Sequence, residues 1–127
     1  MRSWIVATLL ITLVGCQNTL KIPESDYQGQ VPDDLNERLL ALNEEPVQSG
    51  RGVTMRFIYQ EDKALLTISR KLRSNRWYWN MNKSDVAEDI KAYTCEQFGD
   101  AINQGLGVRN WYVGGFVTDT ISAGDCD

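Results

Sequence analysis

The feature that most limits what this chain can fold into lies at its front. Residues 4–14 (Trp-Ile-Val-Ala-Thr-Leu-Leu-Ile-Thr-Leu-Val) carry no charge, follow Arg2, and run through Gly15 into Cys16. Eleven residues are too few to span a hydrocarbon core of roughly 30 Å, which takes about 20. A basic start, a short apolar run and a small residue at its end mark an export signal instead. Residues 1–15 are therefore set aside. What remains, 16–127, has room for one domain with one core and no more.

Leu13, Val14, Gly15 and Cys16 resemble the lipobox of bacterial lipoproteins. That resemblance implies cleavage before Cys16, a diacylglycerol (palmitate-type) thioether on its sulfur and acylation of the new amine. Each buried methylene adds about 0.8 kcal/mol, so two or three chains anchor the protein permanently. Residue 17 is Gln rather than Asp, and the resemblance to enterobacterial-type lipoproteins then implies an outer-membrane, periplasm-facing location. Of three cysteines, Cys95 and Cys126 are left, and two thiols in an oxidising compartment predict one disulfide. A metal pair or a reactive thiol is the alternative. The chain has no His, and neither Cys has a second within four residues, which weakens the metal reading.

Residues 16–31 are polar, contain Pro23 and Gly29, and read as a flexible tether to a globular domain at 32–127. Residues 32–42 predict a helix. Pro32 suits its first position, Asp33 and Asp34 suit its positive end, Leu35, Leu39 and Leu42 share a face, and Pro46 closes it. Val53, Met55, Phe57 and Tyr59 alternate with Thr54, Arg56, Ile58 and Gln60 as in a half-buried strand. Glu61, Asp62 and Lys63 make a turn, residues 64–70 return, and the aromatic stretch 76–80 predicts a third strand. Asn82 or Ser84 caps a long helix with Asp85 in its first turn. Val86, Ile90, Tyr93, Phe98 and Ile102 form its stripe, and Gly105 and Gly107 stop it. Residues 108–113 and 116–121 are strands around a Gly114, Gly115 turn, and Cys126 pins the polar tail to the helix. The expected fold is α+β: a small single domain, a largely antiparallel sheet of about five strands, two helices and one disulfide.

Chemistry is scarce. Without His the commonest general base and metal ligand is missing, and Ser-His-Asp and Cys-His schemes are excluded. Asp85, Glu88 and Asp89 complement a helix dipole, and no phosphate loop, dinucleotide fingerprint or calcium loop is present. The chain reads as a non-enzyme with no cofactor and no metal site. Once Arg2 is removed, 12 basic residues face 17 acidic ones, a balance of −5 that argues against nucleic acid. Two features suggest a binding surface. Lys63, Arg70, Lys71, Arg73, Arg76 and Lys83 fall between Asp62 and Asp85 with no acid among them. Trp77, Tyr78, Trp79, Trp111 and Tyr112 put aromatic area on short strands, the residue types that dominate interfaces. Arg73, Arg76, Trp77, Trp79 and Trp111 are the expected partner contacts.

The layout is similar to that of the AspS/GspS-beta pilotins, small outer-membrane lipoproteins of type II secretion systems. The shared features are the lipobox, a polar tether with a short first helix, a hairpin after Gly52, and a helix with Cys95 in its second half. Strands follow Gly105 and Leu106, and a final Cys, Cys126, stands near the end. The resemblance implies a protein that binds the C-terminal segment of a secretin and is carried with it to the outer membrane by the lipoprotein sorting machinery. The membrane is then a partner only through the lipid anchor. A periplasmic inhibitor, for instance of lysozyme, or a structural envelope lipoprotein is the competing expectation.

Overall fold

In the computed structural model, which describes residues 21–127, the alternation of residues 53–60 and 65–72 becomes the central hairpin. Strand β2 (Val53–Gln60) pairs antiparallel with β3 (Leu65–Leu72) along its whole length. Before β2 come helix α1 (Asp33–Leu42) and a two-residue strand β1 (Gln48–Ser49). After β3 come helix α2 (Lys83–Asn103), β4 (Gly107–Tyr112) and β5 (Phe116–Val117). The sheet order is β1-β2-β3-β4-β5. All neighbours are antiparallel except β3 and β4, which α2 joins as a parallel crossover. The fold is α+β with a mostly antiparallel five-stranded sheet, and Cys95 is bonded to Cys126 across 31 residues.

One face of the sheet meets the helices. Tyr59, Leu66, Ile68 and Val108 project from it onto Leu35 and Leu39 of α1, Ile102 of α2, and Leu106 and Ile121. Each fully buried Leu or Ile contributes about 1.5–3 kcal/mol over an exposed one. Helix α1 is further tied by its polar face: the Tyr59 hydroxyl donates to Asn36 Oδ1 at 2.7 Å, and the Tyr59 N–H to Asn43 Oδ1 at 2.7 Å. Pro32 stands at the N-cap, one position before the expected first turn. Helix α2 begins at Asn82, whose N–H donates to the Asp85 carboxylate at 2.9 Å. Its inward residues include Thr94 and Ile102, whereas Tyr93, expected on the apolar stripe, is 47% exposed.

The other face is covered by the segment read as a tether. Over residues 23–31 that reading gives way to a docked strap. Arg109, 3% exposed, donates from Nε to Thr67 Oγ1 at 2.9 Å and from its terminal nitrogens to the carbonyls of Glu24 and Pro23. Burial lowers the Arg109 pKa from its ordinary value, and three hydrogen bonds to neutral oxygens compensate the buried guanidinium. Tyr27 donates to the Gly105 carbonyl at 2.7 Å, the Gly29 N–H to Lys63 O at 3.0 Å, and Lys63 Nζ to Ser25 O at 2.9 Å. Gly105 and Gly107 do more than stop α2. Gly105 has φ +119°, and a Cβ there would stand 1.9 Å from the Gln30 carbonyl; one on Gly107 would stand 2.5 Å from the Tyr27 ring. Two bare positions let the strap lie flush. Leu65, Thr67 and Ser69 of β3 are buried on this side, as Leu66 and Ile68 are on the other.

Two strand expectations change. Residues 76–80 form a loop, and the fifth strand is Gln48–Ser49 instead. β3 already has β2 on one edge and β4 on the other, so no edge is left for a third meander strand. The last strand is short as well. After Val117 the chain turns in, so that Thr118 exchanges hydrogen bonds with Asn110, and only a single bridge from Ile121 to Val108 follows.

Candidate functional site

Helix α1 covers only one end of the helix-side face. Toward the other end, Met55 and Phe57 of β2 and Ile68 and Arg70 of β3 face Tyr93, Gln97 and Phe98 of α2 around a cavity of about 80 Å³. Met55, Phe57 and Phe98 pack against the core from its margin, and the Phe57 and Phe98 rings meet edge to face, centroids 6.5 Å apart. Both walls of this small groove carry apolar side chains, with Gln97 on one and Arg70 on the other.

Arg70 is its charged element. The side chain donates from Nη1 to Asn110 Oδ1 and lies over the Tyr112 ring, 5.4 Å from the centroid. Asn110 is fully buried. Its backbone N–H donates to Thr118 Oγ1 at 2.9 Å and its Nδ2 to Thr94 Oγ1 at 3.3 Å, so α2 orients the side-chain amide that holds the guanidinium. Among the described residues the one ion pair is Lys83 with Asp119 at 2.6 Å; Arg70 has no carboxylate within 4 Å. Burial raises the Tyr112 pKa, with Arg70 opposing part of that rise, so the ring under the guanidinium is neutral at ordinary pH. A cation held by neutral acceptors and an aromatic face, beside an apolar trough, suits a ligand that brings hydrophobic side chains and a carboxylate.

The expected partner contacts do not form one surface. Trp111 pairs with Ser69 and shares the strap-side face with Arg109; at 8% exposure it offers nothing to a partner. Its expected role is therefore withdrawn, because strand alternation sends it away from Tyr112. Trp79 is half-buried, donates to Val113 O at 3.0 Å and stands edge-on to Tyr112, centroids 4.9 Å apart, with Phe116 stacked on the far side of Tyr112. Arg73, Arg76 and Trp77 do gather, exposed, on the loop after β3. Cys16 lies outside the described residues. The sequence places Arg70 only in the basic cluster and Tyr93 only on the α2 stripe, although Arg70 is in phase with Leu66 and Ile68 and so had to share their face.

A wider cleft of about 780 Å³ opens between the strap and the β2–β3 turn, but Asp33, Glu61 and Asp62 line it and it lacks an apolar floor. Among the described residues no three His, Cys, Asp or Glu side chains converge as a metal would need. Among them, too, no helix is long and apolar enough to cross a membrane. Comparison with protein-family models, with curated proteins and with solved structures returns no match for this chain.

Proposed function

We propose that this chain is an outer-membrane lipoprotein, acylated on Cys16, that works as a secretion-system pilotin. It captures the C-terminal segment of a secretin and takes it to the outer membrane. The observation that carries this reading is the small groove between α2 and the β2–β3 hairpin, with Arg70 on its sheet side and no carboxylate paired to it among the described residues. A segment that is disordered until bound can lay apolar side chains against Met55, Phe57 and Phe98 and place a carboxylate on Arg70. Such coupled folding gives affinity modest enough for later release. The lipobox resemblance of residues 13–16 and the bonded Cys95 and Cys126 suit the same compartment.

The test is direct. A labelled peptide from the secretin C-terminus is titrated against the wild-type domain and the Arg70→Gln variant. A hydrogen bond to a charged group is worth about 1.5–3 kcal/mol, so affinity falls about tenfold or more in the variant. In cells, deletion leaves secretin multimers in the inner membrane. Normal multimers in the outer membrane of the deletion strain would overturn the reading.

A further inference from the structure

We propose that the end of the sheet carrying Trp77 and Tyr78 rests on the surface of the bilayer that holds the lipid anchor. This rests on acylation of Cys16. Two independent features point the same way.

The first is the direction of the strap. Gly29 is held at Lys63, beside the β2–β3 turn; Tyr27 at Gly105, just before β4; Pro23 and Glu24 at Arg109, within β4. Followed toward the N-terminus, the strap climbs β4 in the direction of Tyr112 and the Gly114, Gly115 turn. Cys16 lies seven residues before Pro23, and an extended chain reaches at most about 3.6 Å per residue. From the point where Arg109 holds Pro23, an acylated Cys16 therefore keeps the domain within about 25 Å of the membrane.

The second is what that end presents. The loop between β3 and α2 crosses it from one hairpin turn to another. The Trp77 ring lies over Gly52, where a Cβ would come within 2.8 Å, and the Trp79 ring lies as close to Gly115. Pegged at both sides, the loop holds Tyr78 outward at 81% exposure and Trp77 at 56%. Tyr and Trp with one wet edge favour the headgroup region of a bilayer, where the ring leaves water and the polar atom does not. Exposed cations surround them: Arg51 before Gly52, Arg73 with its N–H on the Gly52 carbonyl at 2.9 Å, Arg76, and Lys71 one residue from the end of β3. Of the acids nearby, Asp85 accepts from Asn82, Asp119 pairs with Lys83, and Glu88 and Asp89 lie farther along α2. In a chain of net negative charge, this is a cationic and aromatic tip suited to anionic phospholipid headgroups.

The experiment uses the full acylated chain reconstituted in phosphatidylcholine vesicles with and without phosphatidylglycerol, some of the lipid brominated just below the headgroup. Mass spectrometry first establishes the acyl chains; an unmodified Cys16 removes the premise along with the anchor. With acylation in place, tryptophan fluorescence is quenched by the brominated lipid, and Trp77→Phe abolishes most of that quenching. Tyr78→Ser, at a side chain that supports nothing in the fold, weakens it. Arg73→Gln with Arg76→Gln weakens it only when phosphatidylglycerol is present. The proposal fails if the acylated Trp77→Phe variant is quenched as fully as wild type. It also fails if aqueous iodide reaches Trp77 equally well with and without vesicles, or if shielding of Trp77 needs an added envelope protein rather than lipid.

Discussion

The two faces of the sheet are covered by opposite means. On one, two helices press Leu35, Leu39 and Ile102 onto Leu66, Ile68 and Val108, and apolar area does the holding. On the other, an extended strap of about ten residues is fixed by single polar anchors: Arg109 on two carbonyls, Tyr27 on a third, Lys63 on a fourth. The first cover degrades gradually as side chains are trimmed. The second depends on a few hydrogen bonds, the central ones from buried Arg109, so losing that one residue releases two backbone carbonyls at once. A small domain can thus bury both faces of its central strand with only two helices.

Substitutions sharpen the contrast. Ile102→Ala, on the helix side, removes a fully buried side chain and should cost about 4 kcal/mol in urea unfolding, with the strap still in place. Cys126→Ser releases the tail from α2; the chain-entropy model gives about 3–4 kcal/mol for such a loop, a fall of about 15 °C in Tm. Wild type and variant should melt together in excess reductant, and a difference that persists there would show the loss is packing, not the crosslink. Arg109→Met strikes the strap alone. It should cost about 2–3 kcal/mol and strip hydrogen-exchange protection from Tyr27 and Gly29 while Leu66 and Val108 keep theirs. Uniform loss of protection would mean the two covers are not separable. Tyr27→Phe is mildest, about 1 kcal/mol for one hydrogen bond. Burial raises the Tyr27 pKa above 10.0, so the neutral hydroxyl is favoured by folding. Its contribution is whole below pH 10 and drains as pH rises past the folded value. The phenylalanine variant should lose less stability than wild type between pH 10 and 12 in alkaline unfolding.

The helix side was legible because its signal repeats. Leu35 and Leu39 recur at helical spacing, Leu66 and Ile68 at strand spacing, and the two thiols left after Cys16 had one natural partner each. The strap was not, because its sequence is that of any solvated linker and its main anchor, Arg109, lies 85 and 86 residues from the carbonyls it holds. Local pattern carries no trace of such a contact. Aromatic stretch 76–80 misled in a related way: its composition fits a strand, but whether a strand can pair depends on a free edge, and β4 had taken it. The groove was half legible. Phe57 and Arg70 fall on predictable faces; that α1 stops short of them is a property of packing, written in no single segment.

The distance in sequence between the strap and Arg109 also sets an order of events. A chain that emerges N-terminus first, from a ribosome or through a translocation channel, presents residues 23–31 long before Arg109 exists to receive them. The first segment out is among the last to be secured. During that interval the strap lacks its main anchor, and only synthesis of β4 supplies the Arg109 that holds it.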